Sequence, residues 1–194
     1  TMLVHVKAWG DYEVLGETLD DAVGEAFDKV ARVIGLNYPG GPNIERLARD
    51  GKNVIKFPRM LKGEGGYNFS YSGLKTAVIN YVHHAGQTGE GYNAADVACS
   101  FQHAATDILV QKAIEAARQY SLDTITIGGG VAANGYLRDN LQSACRKNGL
   151  KLVLPEKILC TDNAAMIGAE GYIQYLKGNF ADMTLNASAR VDLG

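Results

Sequence analysis

Three consecutive glycines, Gly128, Gly129 and Gly130, lead into Val131-Ala132-Ala133-Asn134. The run follows a strand-like segment and opens a helical one. Glycines let backbone amides approach an anion closely, and a helix start adds about half a positive charge. A phosphate would suit such a turn, although a strand-to-helix turn without any ligand reads the same way. No Gly-Lys-Ser/Thr follows, so this is not a Walker loop. The run also matches a G-x-G-x-x-A pattern, with Glu156 past the next strand as a candidate ribose acid, which keeps a dinucleotide-binding reading open. Such a unit usually begins its domain; here it lies past residue 120, behind long helices.

A second candidate is acidic. Asp21, Glu25, Asp28 and Arg32 are spaced by 4, 3 and 4, one stripe of a helix opposite the apolar stripe Val23, Ala26, Phe27, Val30, Ile34. A solvated face with an Asp28–Arg32 pair accounts for it, and so would a bound group that uses three like charges. The third is Cys160-Thr161-Asp162-Asn163-Ala164-Ala165-Met166-Ile167-Gly168. Thr161 or Asp162 would cap a helix. The small residues that follow would let that helix approach a neighbour closely, and an aspartate projecting there could bind a divalent metal. His5, His83, His84 and His103 contain no i,i+4 pair, so neither HxxxH nor HExxH exists; each is expected to be structural or exposed. No serine or cysteine sits in a nucleophile motif. By its own residues the chain carries no complete hydrolase site.

These residues need elements to hold them. Met2–Ala8 alternates, Trp9-Gly10-Asp11 turns and Tyr12–Leu15 follows, which predicts a hairpin. A helix is expected from Asp20 or Asp21 to Gly35, then a turn at Pro39-Gly40-Gly41-Pro42 and a short helix over about 43–50. A helix of about 73–84 should run into a mobile loop, His84–Gly91. The pattern from Asn93 to Tyr120 is one long helix with Val97, Phe101, Ala104 and Ile108 on one face. Strand (123–127), glycine turn, helix (134–147), strand (151–154) and helix (162–177) complete the order, and the tail after Lys177 is patternless. Strands alternating with helices imply an α/β fold with a partly parallel sheet.

Composition narrows the function. The 194 residues carry 19 basic and 21 acidic side chains, a net charge of −2, which argues against binding of nucleic acid or membrane by bulk charge and leaves room for a local basic patch. No apolar run spans a bilayer, and no basic segment followed by an apolar one marks a secretory signal. Cys99, Cys145 and Cys160 share no CxxC spacing and read as reduced cytosolic thiols, hence a cytoplasmic location. Glycine is enriched, 23 residues, about 12% against a usual ~7%.

Five ordered motifs carry a resemblance that none of them carries singly: Gly16–Lys29 (GETLDDAVGEAFDK), Tyr38-Pro39-Gly40-Gly41, Phe69–Ala77 (FSYSGLKTA), Gly129–Asn134 (GGVAAN) and Cys160–Ile167 (CTDNAAMI). Together they resemble the TsaD (Gcp) family, long described as O-sialoglycoprotein endopeptidases. The resemblance runs through essentially the whole chain but only the C-terminal part of the family's length. It implies the C-terminal RNase H-like lobe of a two-lobed actin/Hsp70-like (ASKHA) ATPase fold, entered at the second strand, so that the first lobe and the central strand are missing. It implies transfer of a threonylcarbamoyl group from threonylcarbamoyl-adenylate to adenosine 37 of ANN-decoding tRNAs.

Carried over residue by residue, the resemblance makes Asp28, Gly41 and Asn134 substrate contacts, Glu45 a second ribose acid, and Asp162 a ligand of iron or zinc. It implies ATP or threonylcarbamoyl-adenylate as ligand, and tRNA with TsaB-like and TsaE-like helper proteins as partners. The family's HxxxH metal pair and its phosphate hairpin are absent, so the 194-residue piece is expected to be inactive alone, with its metal weak or absent. A homodimer by strand exchange would satisfy the sheet's unpaired backbone. Two alternatives stay open: a small-molecule kinase or ATPase lobe of the same superfamily, and a non-catalytic partner of TsaB type. A metalloprotease is not supported, because nothing supplies a general base beside a three-ligand zinc. The geometric expectation is that Asp28, Gly41, Asn134 and Asp162 converge on one rim.

Overall fold

The computed structural model describes residues 1–63 and 65–187. The expected tail is described as far as residue 187; residues 188–194 lie outside the described residues. Its elements are β1 (Met2–Ala8), β2 (Asp11–Glu17), α1 (Val23–Val33), α2 (Gly40–Ala48), α3 (Ser72–Thr88), α4 (Ala94–Gln119), β3 (Thr124–Thr126), α5 (Gly135–Asn148), β4 (Lys151–Val153) and α6 (Ala164–Leu176), with 3-10 turns at Gly130–Ala133 and Lys157–Leu159.

β1 and β2 form the expected hairpin, antiparallel, Met2 opposite Glu17 and Ala8 opposite Asp11. β3 and β4 pair in parallel, Thr124 opposite Lys151, with the α5 crossover between them. The partly parallel sheet is therefore present as two separate two-stranded sheets. Between them lies an apolar slot of about 520 Å³, walled by Thr1–Val4 on one side and Ile125–Gly130 on the other, with Leu109, Val110 and Ala113 of α4 at its base.

α4 is the axis of the core. Asn93 caps it, its side chain accepting the N–H groups of Ala95 and Asp96. The predicted face is buried: Val97, Phe101, Ala104 and Ile108 pack with Phe27 and Val30 of α1, Ile44 of α2, and Leu74 and Val78 of α3. The Phe27 and Phe101 rings meet edge to face, centroids 5.0 Å apart. A second cluster joins Val110 and Ile114 of α4 to Leu137, Leu141 and Cys145 of α5.

Four expectations about boundaries are corrected. α1 starts at Val23, not Asp20 or Asp21. The Val23 N–H is taken by the Thr1 hydroxyl at 2.9 Å, while Asp20 caps a different helix. Its carboxylate accepts the backbone N–H groups of Tyr71 and Ser72 and both the Ser70 and Ser72 hydroxyls, closing the start of α3. α2 starts three residues early, at Gly40, because Asp28 accepts the Gly40 N–H at 2.7 Å. α3 continues through the expected mobile loop to Thr88, where Ala85 is buried and Gly89 ends it with φ +72°. α6 is capped by Asn163, which accepts the Met166 N–H at 3.0 Å, rather than by Thr161 or Asp162. The close neighbour expected for its small residues is not found: no residue of α6 is buried.

Candidate functional site

The acidic stripe is divided among partners. Asp21 bridges Lys29 (2.7 Å) and Lys75 (2.9 Å), and Glu25 pairs with Lys29. Hydrogen bonds from the two lysines hold the Asp21 carboxyl below the usual carboxylate range. Asp28 departs from the expected Asp28–Arg32 pair. Half-buried, it turns one oxygen to the Gly40 amide and so ties α1 to the start of α2. Gly41 follows Gly40 in that first turn, and Glu45 stands one helical turn on.

Glu45 in turn reaches the start of α5. A β-carbon added at Gly135 would lie 2.9 Å from Glu45 Oε1, so the carboxylate sits directly against the first turn of α5. Immediately before it, Asn134 is buried at 7% exposure and caps α5, Oδ1 accepting the Leu137 N–H at 2.9 Å. Its Nδ2 donates to Oε1 of Gln102 on α4, also at 2.9 Å. Gly128, Gly129 and Gly130 are exposed at the end of the apolar slot, and Gly129 has φ +84°, a conformation that glycine adopts freely. The amides of the turn are thus accessible to an anion, as its composition suggests.

Four of the five predicted residues, Asp28, Gly41, Glu45 and Asn134, are therefore linked through α1, α2 and the start of α5. Asp162 stands apart. It is exposed, and the segment that leads to it meets this group through Arg138 of α5, whose guanidinium donates to Pro155 O at 2.6 Å and lies 3.3 Å from Cys160 Sγ. Among the described residues no three histidine, cysteine, aspartate or glutamate side chains gather where they could hold a metal ion. One exposed carboxylate does not fit an iron or zinc site, which takes several convergent ligands.

Beside Glu45 and Asn134 opens a polar pocket of about 550 Å³, lined by Gln102, His103, Tyr136, Arg138 and Lys157 among others. Sequence reasoning missed these groups. The Tyr136 hydroxyl lies 2.7 Å from His103 Nδ1 and 3.3 Å from Asp107 Oδ1, and Asp107 is also held by Asn140 (3.1 Å) and by both Nε and Nη2 of Arg59. Burial pushes the His103 imidazole below its usual pKa; Asp107 opposes that and Arg59 reinforces it. Burial, followed by the Asp107 charge, raises the Tyr136 phenol to well above its ordinary value. His103 and Asp107 stand four apart on a predicted helix, the one signal that could have flagged them. Nothing in the chain links 103 to 136 before it folds.

The family described as TsaD, tRNA N6-adenosine threonylcarbamoyltransferase, matches residues 1–169. Over its whole length the chain is similar to the tRNA N6-adenosine threonylcarbamoyltransferase of Clostridium botulinum (strain 657 / Type Ba4), 49% identical over 195 residues. It is 51% identical over 193 residues to that of Staphylococcus epidermidis (strain ATCC 12228 / FDA PCI 1200). It spans 57% of the length of each. A crystal structure of HypF from T. kodakarensis aligns with a TM-score of 0.62, covering 82% of this chain and 20% of that one, at 24% identity, a likeness of fold alone. The fold is α/β, of the actin-like ASKHA class, and the chain belongs to the TsaD family.

Proposed function

We propose that this chain is the C-terminal lobe of a tRNA N6-adenosine threonylcarbamoyltransferase, and that the nucleotide end of its donor substrate, threonylcarbamoyl-adenylate, or ATP, is held by Asp28, Gly41, Glu45 and Asn134. The observation that carries this reading is Glu45 seated against the Asn134–Gly135 turn. Glu45 and the first turn of α5 line one pocket, and a carboxylate beside a helix start suits ribose hydroxyls and phosphate oxygens. In that role Asp28 and Glu45 accept hydrogen bonds from the sugar, and the free amides of the Gly128–Gly130 turn take the phosphate.

In this reading a further strand lies in the apolar slot between β1 and β3, whose edges there pair with no other strand among the described residues. About 43% of the relatives' length has no counterpart here, enough for a first lobe and one more strand. Because Asp162 alone does not make a metal site, any iron or zinc would need ligands from elsewhere, and no step of the reaction is assigned to it. The helper proteins of TsaB and TsaE type, the cytoplasmic setting and the homodimer by strand exchange belong to the same reading. Among the described residues no helix is long and apolar enough to cross a membrane.

The test is a modification assay with the intact protein and with this chain alone, each given threonylcarbamoyl-adenylate and unmodified ANN-decoding tRNA. Nucleoside mass spectrometry should find the modified adenosine only with the intact protein, and Glu45→Ala or Asn134→Ala should lower its yield at least tenfold. Phosphorylation of a small molecule with no modified tRNA would replace this reading with a kinase.

A further inference from the structure

We infer that Gln102 is a positioning residue for the nucleotide-binding turn, acting through Asn134; this rests on the functional reading above. Asn134 has one carboxamide and two fixed partners. The Leu137 N–H can only donate, so it selects the oxygen of Asn134. Nδ2 is thereby turned toward Gln102, whose carboxamide presents Oε1 to accept from it. Both side chains are buried, Gln102 to 5% exposure and Asn134 to 7%. Rotation of the Asn134 amide would face donor with donor and acceptor with acceptor away from water, a costly arrangement. The amide therefore has one orientation before any ligand arrives, and its second Nδ2 proton is aimed in advance.

The anchoring is also long-range. Gln102 stands on α4, the axis of the core, between Phe101 (0% exposed) and His103 of the polar pocket. A bond from the rigid centre of the lobe thus fixes a residue at the junction of the Gly130–Ala133 turn and α5. Preorganisation of this kind lowers what ligand binding must spend on ordering the site.

The test is ATP titration of the intact protein by calorimetry, with far-UV circular dichroism on every variant. Gln102→Met keeps the volume and removes the acceptor; Gln102→Glu keeps an acceptor at the same place. Gln102→Met should weaken ATP at least tenfold, Gln102→Glu should stay within about threefold of wild type, and Gln102→Met should add nothing in an Asn134→Ala background. The last two results separate positioning from packing, which would affect both variants and add to Asn134→Ala. If Gln102→Met fails to fold, Gln102→Leu and Gln102→Ala are read by the same criterion: a tenfold loss in either that folds supports the role, and binding within threefold of wild type overturns it. Wild-type binding with an equally tight Gln102→Met overturns the inference and leaves the nucleotide reading standing. A wild-type protein that does not bind ATP removes both.

Discussion

Asp28 and Gly40 are in contact through both backbone and side chain. The Asp28 carboxylate accepts the Gly40 amide at 2.7 Å, and a β-carbon at Gly40 would lie 2.6 Å from the Asp28 Cα and 2.8 Å from the Ala31 Cβ. α1 and α2 can approach this closely only with glycine at 40. Gly40→Ala should therefore destabilise the chain by about 2 kcal/mol, in the range of overpacked cores, and chemical denaturation against wild type measures it. Gly41→Ala, with open space around its Cα, should cost less than about 1 kcal/mol of stability. Equal losses would mean that the helices can separate freely.

Asp20 caps α3 from a segment some fifty residues away. Burial pushes its carboxyl up, but the hydrogen bonds from Ser70, Ser72 and Tyr71 outweigh that and bring its pKa down to about 2, from an ordinary 3.8. A carboxylate whose folded pKa is depressed lends stability in full above its unfolded pKa and loses it as pH falls through the folded one. Melting followed from pH 5 down to pH 2 should show that loss between about 4 and 2, and Asp20→Ala should remove this part of the acid dependence while costing about 1 kcal/mol at neutral pH.

The histidine of the polar pocket gives the opposite kind of titration at a milder pH. His103 is held neutral, its folded pKa below the ordinary 6.5. The unfolded chain therefore binds more protons in that window, and stability rises with pH and falls away below about 6.5. Melting temperatures between pH 5 and 7.5 should slope upward in wild type and flatten in His103→Gln. An unchanged slope would show that another group titrates there.

The parallel β3–β4 pair, the hairpin and the axial helix were all legible from periodicity, because each is decided by residues close in the chain. The misplaced ends were decided across it. Thr1 takes the first amide of α1, Asp20 that of α3 and Asp28 that of α2, and no local signal reveals a cap supplied by another segment. The same holds for the site. Glu45 and Asn134 were found by resemblance and lie together, whereas Gln102, His103 and Tyr136 come from α4 and α5 and became visible only when those helices packed. Asp162 was legible as a residue type, but a metal needs companions, and among the described residues none gather around it.

That last point has a direct check. Treatment of the 194-residue chain with a chelator should leave its melting temperature unchanged, and so should Asp162→Ala. A fall of several degrees in either would reveal a metal centre built from groups other than those described.

The slot has a consequence for how the molecule comes apart. Among the described residues no backbone ladder joins the hairpin to β3 and β4; the hairpin is attached through the Thr18–Phe69 bridge and contacts such as His5 with Tyr120. Cooperativity depends on such ladders, and here it stops at the gap. In hydrogen exchange the hairpin should behave as its own foldon, opening many times faster than α4. A segment of extended chain laid into the gap would couple the halves, turning two weakly linked units into one.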